Sequence, residues 1–212
     1  MAKKRRARDA EGGSREWIFR AACAEFAARG FAGANVDRIA AAAGVNKAMI
    51  YYHFKSKAAL YRAILNDMFT AVAARLDAMA AEHRTPEGKI RAFVEAIARE
   101  AEARPHFPPI WFREVAEGGT HLEVGTLKIV GGIVQRLART IQEGIAANRF
   151  QPIDPLLVHG GIVGPLLLYY ASGPLRKRLA RAGLAGADSY GSEEVIAHVQ
   201  RVALNSLQGK MS

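Results

Sequence analysis

A single cysteine, Cys23, in 212 residues excludes an internal disulfide framework and fits a reducing compartment. No stretch alternates apolar and polar residues over the length of a strand, so no sheet is expected. The six histidines (His53, His83, His106, His121, His159 and His198) show no HxxxH or HxH spacing, and no metal ligand set follows from them. GxSxG, Walker and GxGxxG patterns are missing too. Gly160-Gly161 and Gly164 have no strand before them and read as helix contacts rather than a phosphate cradle. The sequence therefore predicts no enzyme, no metal and no cofactor. Two further absences bear on the membrane. The basic N-terminus lacks the apolar core of a secretory signal, and the apolar run at residues 155–173 is interrupted by His159, three glycines and Pro165, a poor spanning helix. No membrane partner and a cytoplasmic location are expected.

Positive charge is plentiful, and it is unevenly placed. Residues 1–62 hold 13 Lys and Arg against 5 Asp and Glu, so +8 of the +10 net charge sits in the first third of the chain. That asymmetry predicts a polyanionic partner for this third and another task for the rest. Half the residues are hydrophobic, enough for a sizeable core.

Apolar residues recur at helical spacing almost throughout. Residues 1–13 carry nothing to bury and are expected to form a disordered basic arm. A first helix, capped by Ser14, carries Phe19, Ala22, Cys23 and Phe26 on one face and ends at Gly30. Asn35 caps a second helix with Val36, Ile39, Ala40 and Ala43. Gly44 ends that helix, and Asn46 caps a third. Ser56 caps a long helix to about Glu82, and Thr85-Pro86 opens the next. Arg104 to Pro109 reads as a break before a short helix that stops at Gly118-Gly119. Thr120 with Glu123 predicts a capping box for a long helix. Asp154-Pro155 opens the glycine-bearing helix, residues 173–189 read as a basic linker, and Ser192 starts the last helix. The expected fold is all-α with about nine helices: an arm (1–13), a helix-turn-helix domain (14–62, the motif at about 35–54) and a larger helical domain (63–212).

At about 100° per residue, Lys47, Ala48, Tyr51 and Tyr52 share one arc of the third helix, and Met49, Ile50, His53 and Phe54 share the other. One arc can pack. The other presents a cation, a small residue and two phenols, which suits a helix laid in a DNA groove. By position, Lys47 and Ala48 face base edges, with Lys47 toward guanine, while Tyr51, Tyr52 and His53 reach phosphate or sugar. Plainer readings stand beside these: His53 wedged between helices, Tyr52 at a core edge, Lys55 as a solvated charge.

The words Asn35-Val36-Asp37-Arg38-Ile39-Ala40, Ala43-Gly44-Val45, Ile50-Tyr51-Tyr52-His53-Phe54 and Ser56-Lys57-Ala58-Ala59-Leu60-Tyr61 resemble the DNA-binding domain of the tetracycline-repressor (TetR) family of bacterial transcription regulators. The resemblance covers roughly residues 14–64. It implies phosphate contacts from Asn35 and Lys57, double-stranded operator DNA as partner, and a homodimer formed through the last two helices, for which Val199 and Leu207 are the candidate contacts. It implies also a small-molecule effector. Phe107, Trp111, Phe112, Arg113, His159, Tyr169 and Tyr170 are candidates to line an apolar pocket for it. The expected function is a ligand-responsive transcriptional repressor. The alternative is an effector-independent structural protein of the nucleoid type, binding most duplexes alike.

Overall fold

A computed structural model describes the backbone of residues 2–184 and 190–209, and side chains from Gly13 onward. Among the described residues there are ten helices and no strand: α1 Ala2–Gly33, α2 Val36–Ala43, α3 Lys47–Phe54, α4 Lys57–Ala81, α5 Pro86–Ala103, α6 Phe107–Ala116, α7 Val124–Ala146, α8 Pro155–Ala171, α9 Gly173–Arg181 and α10 Ser192–Gln208.

The chain forms two compact units, Met1–Met68 with Pro109–Thr126, and Phe69–Pro108 with Leu127–Ser212. In the first, Ile18, Ala22, Phe26, Ile39, Ile50, Leu60, Tyr61, Ile64 and Ile110 make the buried centre. In the second, α5, α8 and α10 pack on one another through Ile90, Val94, Ile97, Ile162, Leu166, Ile196, Val199 and Leu207. Glu100, buried there, is held by Arg75 and Arg104, so its charge is compensated where an unpaired carboxylate would be costly.

The helix boundaries follow local chemistry. Gly30 has φ 68° and breaks α1 after Arg29, a conformation that only glycine adopts cheaply. Thr85 Oγ1 accepts from the Gly88 amide at 3.1 Å, and Asp154 Oδ1 accepts from the Leu156 amide at 2.7 Å, each with proline in the first turn. Pro108 and Pro109 are also accommodated in a first turn, that of α6, where a missing N–H is harmless. The break expected over Arg104 to Pro109 is thus shorter than the sequence suggests.

Three other expectations need correction. α1 begins at Ala2, so most of the stretch 1–13 is helix and not a disordered arm. Its alanines, arginines and lysines are good helix formers, and a helix already nucleated after Ser14 extends at little cost. Met1 lies outside the described residues. The basic stretch from Gly173 is helical to Arg181, because Pro174 is tolerated in a first turn and six of the next seven residues are Leu, Arg or Lys; residues 185–189 lie outside the described residues. The box expected from Thr120 and Glu123 does not form. Thr120 Oγ1 lies beside His121 Nδ1 and Glu123 pairs with Arg62, so α7 starts only at Val124.

No single helix among the described residues is long and apolar enough to cross a membrane; α8 and α9 reach that test only together, across a 53° bend.

Candidate nucleic-acid interface

The first unit positions α3 by a series of local devices. Asn35 Oδ1 accepts from the Asp37 amide at 2.7 Å and caps α2. Gly44, left-handed at φ 66° and ψ 30°, turns the chain, and Asn46 Oδ1 accepts from the Ala48 amide at 2.9 Å to start α3. After Phe54 the turn is completed by Lys55 at φ 67°, and Ser56 Oγ caps α4 through the Ala59 amide. Each device satisfies donors that a helix end leaves open.

α3 buries Ile50 and Phe54 and exposes Lys47, Ala48, Tyr51 and Tyr52. The two tyrosines are 43% and 59% exposed, too much for either to be core. Beside them is an open cleft of about 480 Å³ lined by Asn35, Arg38, Lys47, Tyr51 and Lys57 together with residues 32–34 and Val36. Four of the seven side chains singled out from sequence therefore meet at one concavity.

Several of them are already engaged. Lys57 Nζ donates to the carbonyls of Phe31 (2.9 Å) and Ala34 (3.2 Å) and lies 4.6 Å over the Phe31 ring, so it fastens the end of α1 while lining the cleft. His53 places Nε2 2.8 Å from the Oγ of buried Ser14; its place is between α1 and α3. Lys47 Nζ is 2.9 Å from Asp37 Oδ1, and that hydrogen bond holds the ammonium pKa above its ordinary value. Glu25 accepts from Arg38 and from the Asn35 amide. The Arg38 hydrogen bond keeps its carboxyl below the ordinary value, so Glu25 ties α1 to the start of α2 with full effect above pH 4.5 and loses that effect as pH falls below it.

One buried group in this unit was not legible as a site. Glu114, wholly buried, accepts from Tyr61 Oη at 3.2 Å and from the His121 amide at 2.7 Å, with His121 Nδ1 3.1 Å away. Burial, and then the carboxylate, push the Tyr61 phenol up. Glu114, Glu117 and His121 bring potential metal-ligand atoms within 4.8 Å of one another, but hydrogen bonds already account for Glu114. The spacing i, i+3, i+7 off the end of α6 was the available signal.

The candidate pocket residues are divided between the two units. Trp111, Phe112 and Arg113 belong to the first unit, and Phe107, His159, Tyr169 and Tyr170 to the second. Phe107 is core, edge-on to Phe69. His159 faces Phe93, and burial lowers its pKa. Tyr169 and Tyr170 donate to or share hydrogen bonds with the Tyr190 carbonyl and Ser192 Oγ, fastening α8 to the start of α10. Arg113 Nη2 donates to the Ala28 carbonyl. The second unit has its own cleft, about 330 Å³, lined by Leu76, Asp77, Ala80, Ala81, Lys89, Phe93, Arg136, Arg139, Thr140 and Glu143, and none of the seven lines it.

Val199 and Leu207 are 2% and 0% exposed within the chain, and Val199 also lines an apolar groove with Pro165, Tyr190 and Val195. The outward large apolar side chains are Leu156, Leu157 and Leu168 on α8 and Val202 on α10.

Two short helices joined by a glycine turn, the second presenting a cation and phenols beside an electropositive cleft, define a helix-turn-helix DNA-binding unit. The profile of "Bacterial regulatory proteins, tetR family" matches residues 18–64. The HTH-type transcriptional repressor SCO4008 of Streptomyces coelicolor is 49% identical over 59 residues, 28% of this chain and 30% of that protein. The repressor NicS of Pseudomonas putida is 24% identical over 92% of each chain. Among solved structures, a tetR-family regulatory protein from Rhodococcus RHA1 superimposes with a TM-score of 0.73 at 20% identity, over 92% of this chain and 96% of its own. The fatty acid degradation regulator FadR of Bacillus halodurans does so with 0.70 at 21%, over 91% and 98%. Residues 18–64 form a DNA-binding domain of the tetR family of bacterial regulatory proteins, and the chain is a DNA-binding regulator of transcription.

Proposed function

We propose that the protein is a homodimeric, cytoplasmic repressor that holds a palindromic operator through α3 of each protomer and is released by a small apolar or aromatic effector. The observation that carries the DNA reading is the exposed arc of α3 beside the Asn35–Lys47–Tyr51–Lys57 cleft. The dimer is supported by the outward faces of α8 and α10. Leu157 and Leu168 are 72% and 60% exposed, and Gly160, Gly161 and Gly164 have open space where a side chain would be, which allows another helix to approach closely. An apolar groove beside them, lined by Pro165, Tyr190, Val195, Ala197, His198 and Arg201 among others, continues this face. A self-complementary patch of this kind suits a two-fold contact.

A small-molecule effector is supported by the cleft beside Leu76 and Phe93, whose size fits one and whose charged walls, Asp77, Lys89, Arg136, Arg139 and Glu143, suit polar groups carried on it. α4 belongs to both units, up to Met68 to the first and from Phe69 to the second. A ligand that prefers one setting of α4 would change the spacing of the two α3 helices. A coupling of about 1 to 3 kcal/mol changes operator affinity roughly 5- to 150-fold. Compounds that release operator in a screen of apolar and aromatic molecules should bind the free protein more tightly than the operator complex by that same factor, measured by calorimetry. Equal affinity in the two states would leave DNA binding uncoupled from the ligand.

A further inference from the structure

The positional reading of α3 leaves one ion pair on the DNA-facing side unused. Lys47, in the first turn of α3, has its Nζ 2.9 Å from Oδ1 and 3.1 Å from Oδ2 of Asp37, in the first turn of α2. Both side chains are open to solvent, 46% and 64% exposed. A pair this exposed contributes little to folding. An aspartate set beside a lysine on a DNA-facing surface also works against affinity, because it repels phosphate and offsets the charge of the lysine. Its effect must be sought in discrimination.

The pair presents a donor and an acceptor side by side. The ammonium has three N–H donors, of which the carboxylate occupies at most two, and the carboxylate is an acceptor only. On the major-groove edge of a G·C pair the guanine acceptors N7 and O6 lie next to the cytosine N4 donor, whereas an A·T pair puts a thymine O4 acceptor and a methyl group where that cytosine donor would stand. We propose that Asp37 and Lys47 read one G·C base pair as a unit, Lys47 donating to guanine O6 or N7 and Asp37 accepting from cytosine N4. The carboxylate penalises thymine O4 and phosphate oxygen at the same place, so it rejects wrong sequences as well as fitting the right one. Asp37 also holds the lysine in position before DNA arrives, which spares ordering a flexible side chain on binding.

This inference rests on α3 entering the groove, and its test separates the two. Duplexes selected by the full-length protein are varied one base pair at a time and bound by the parent, Lys47→Ala, Asp37→Asn and the double variant, with Asp37→Glu as the charge-conserving control. The expected result is that Lys47→Ala and Asp37→Asn each relax preference at the same G·C pair about tenfold, that the double variant relaxes it no further, and that Asp37→Glu keeps most of it. Asp37→Asn should bind unrelated duplexes more tightly than the parent. If Asp37→Asn keeps the full preference at the position Lys47→Ala relaxes, Lys47 reads alone and the inference is overturned. If neither variant alters preference at any base pair, the placement of α3 fails and takes the inference with it.

Discussion

A protein carrying Leu157→Glu and Leu168→Glu is expected to sediment as a monomer, keep its helical circular dichroism, and lose palindromic DNA by about two to four orders of magnitude. The fold should survive because both leucines largely face solvent, so their replacement removes little contact within the chain. Two carboxylates per protomer would be brought together across a two-fold contact, where like charges cannot be solvated. Each protomer would then hold a half-site alone, and the gain from tethering the second half-site would be gone. The contrasting substitutions Val199→Asp and Leu207→Asp are not informative about assembly, since they bury a charge in the protomer's own core and unfold it. An unchanged dimer from the Leu157→Glu, Leu168→Glu protein would remove α8 from the interface.

Glu114→Ala should have the largest effect on stability. It leaves the buried Tyr61 hydroxyl and the His121 amide without their acceptor and opens a cavity where the carboxylate was. Hydrogen bonds to a charged group contribute roughly 1.5 to 3 kcal/mol each, so a loss of about 3 kcal/mol is expected, and a melting temperature lower by roughly 10 to 20 °C for a unit of this size. Both tryptophans, Trp17 and Trp111, belong to that unit, and their fluorescence reports its melting. Glu114→Gln keeps one carbonyl acceptor and should cost about half as much. A melting temperature within a degree or two of the parent's would show that Glu114 is dispensable to the first unit.

What could be read from the sequence was what depends on residues close together in the chain. Asn35, Asn46, Ser56, Thr85 and Asp154 announce helix starts because the bond each makes is to an amide two or three residues on. Gly30 and Gly44 announce helix ends because the positive φ they adopt strains other residues. The arc of α3 was legible for the same reason, since eight residues fix it. What could not be read was the partner of a side chain distant in sequence. Lys57 looked free for phosphate, but the carbonyls that hold it lie 23 and 26 residues away. Glu114 waits on Tyr61, 53 residues before it. α10 shows the limit most plainly. Apolar residues on several sides predict that both faces are covered, yet which face meets α5 and α8 depends on their packing, and Val199 and Leu207 turned inward while Val202 turned out. α9 was missed for a different reason, because a segment without buried residues leaves no apolar stripe to find.

The account stands or falls on whether α3 reads sequence. Selecting bound duplexes from random DNA with the full-length protein tests it directly. The account predicts one palindrome, with half-sites centred about 34 to 36 Å apart, bound at least about a thousandfold more tightly than unrelated duplex at physiological salt. Recovery of duplexes with no shared sequence, all bound alike and released together by salt, would contradict it.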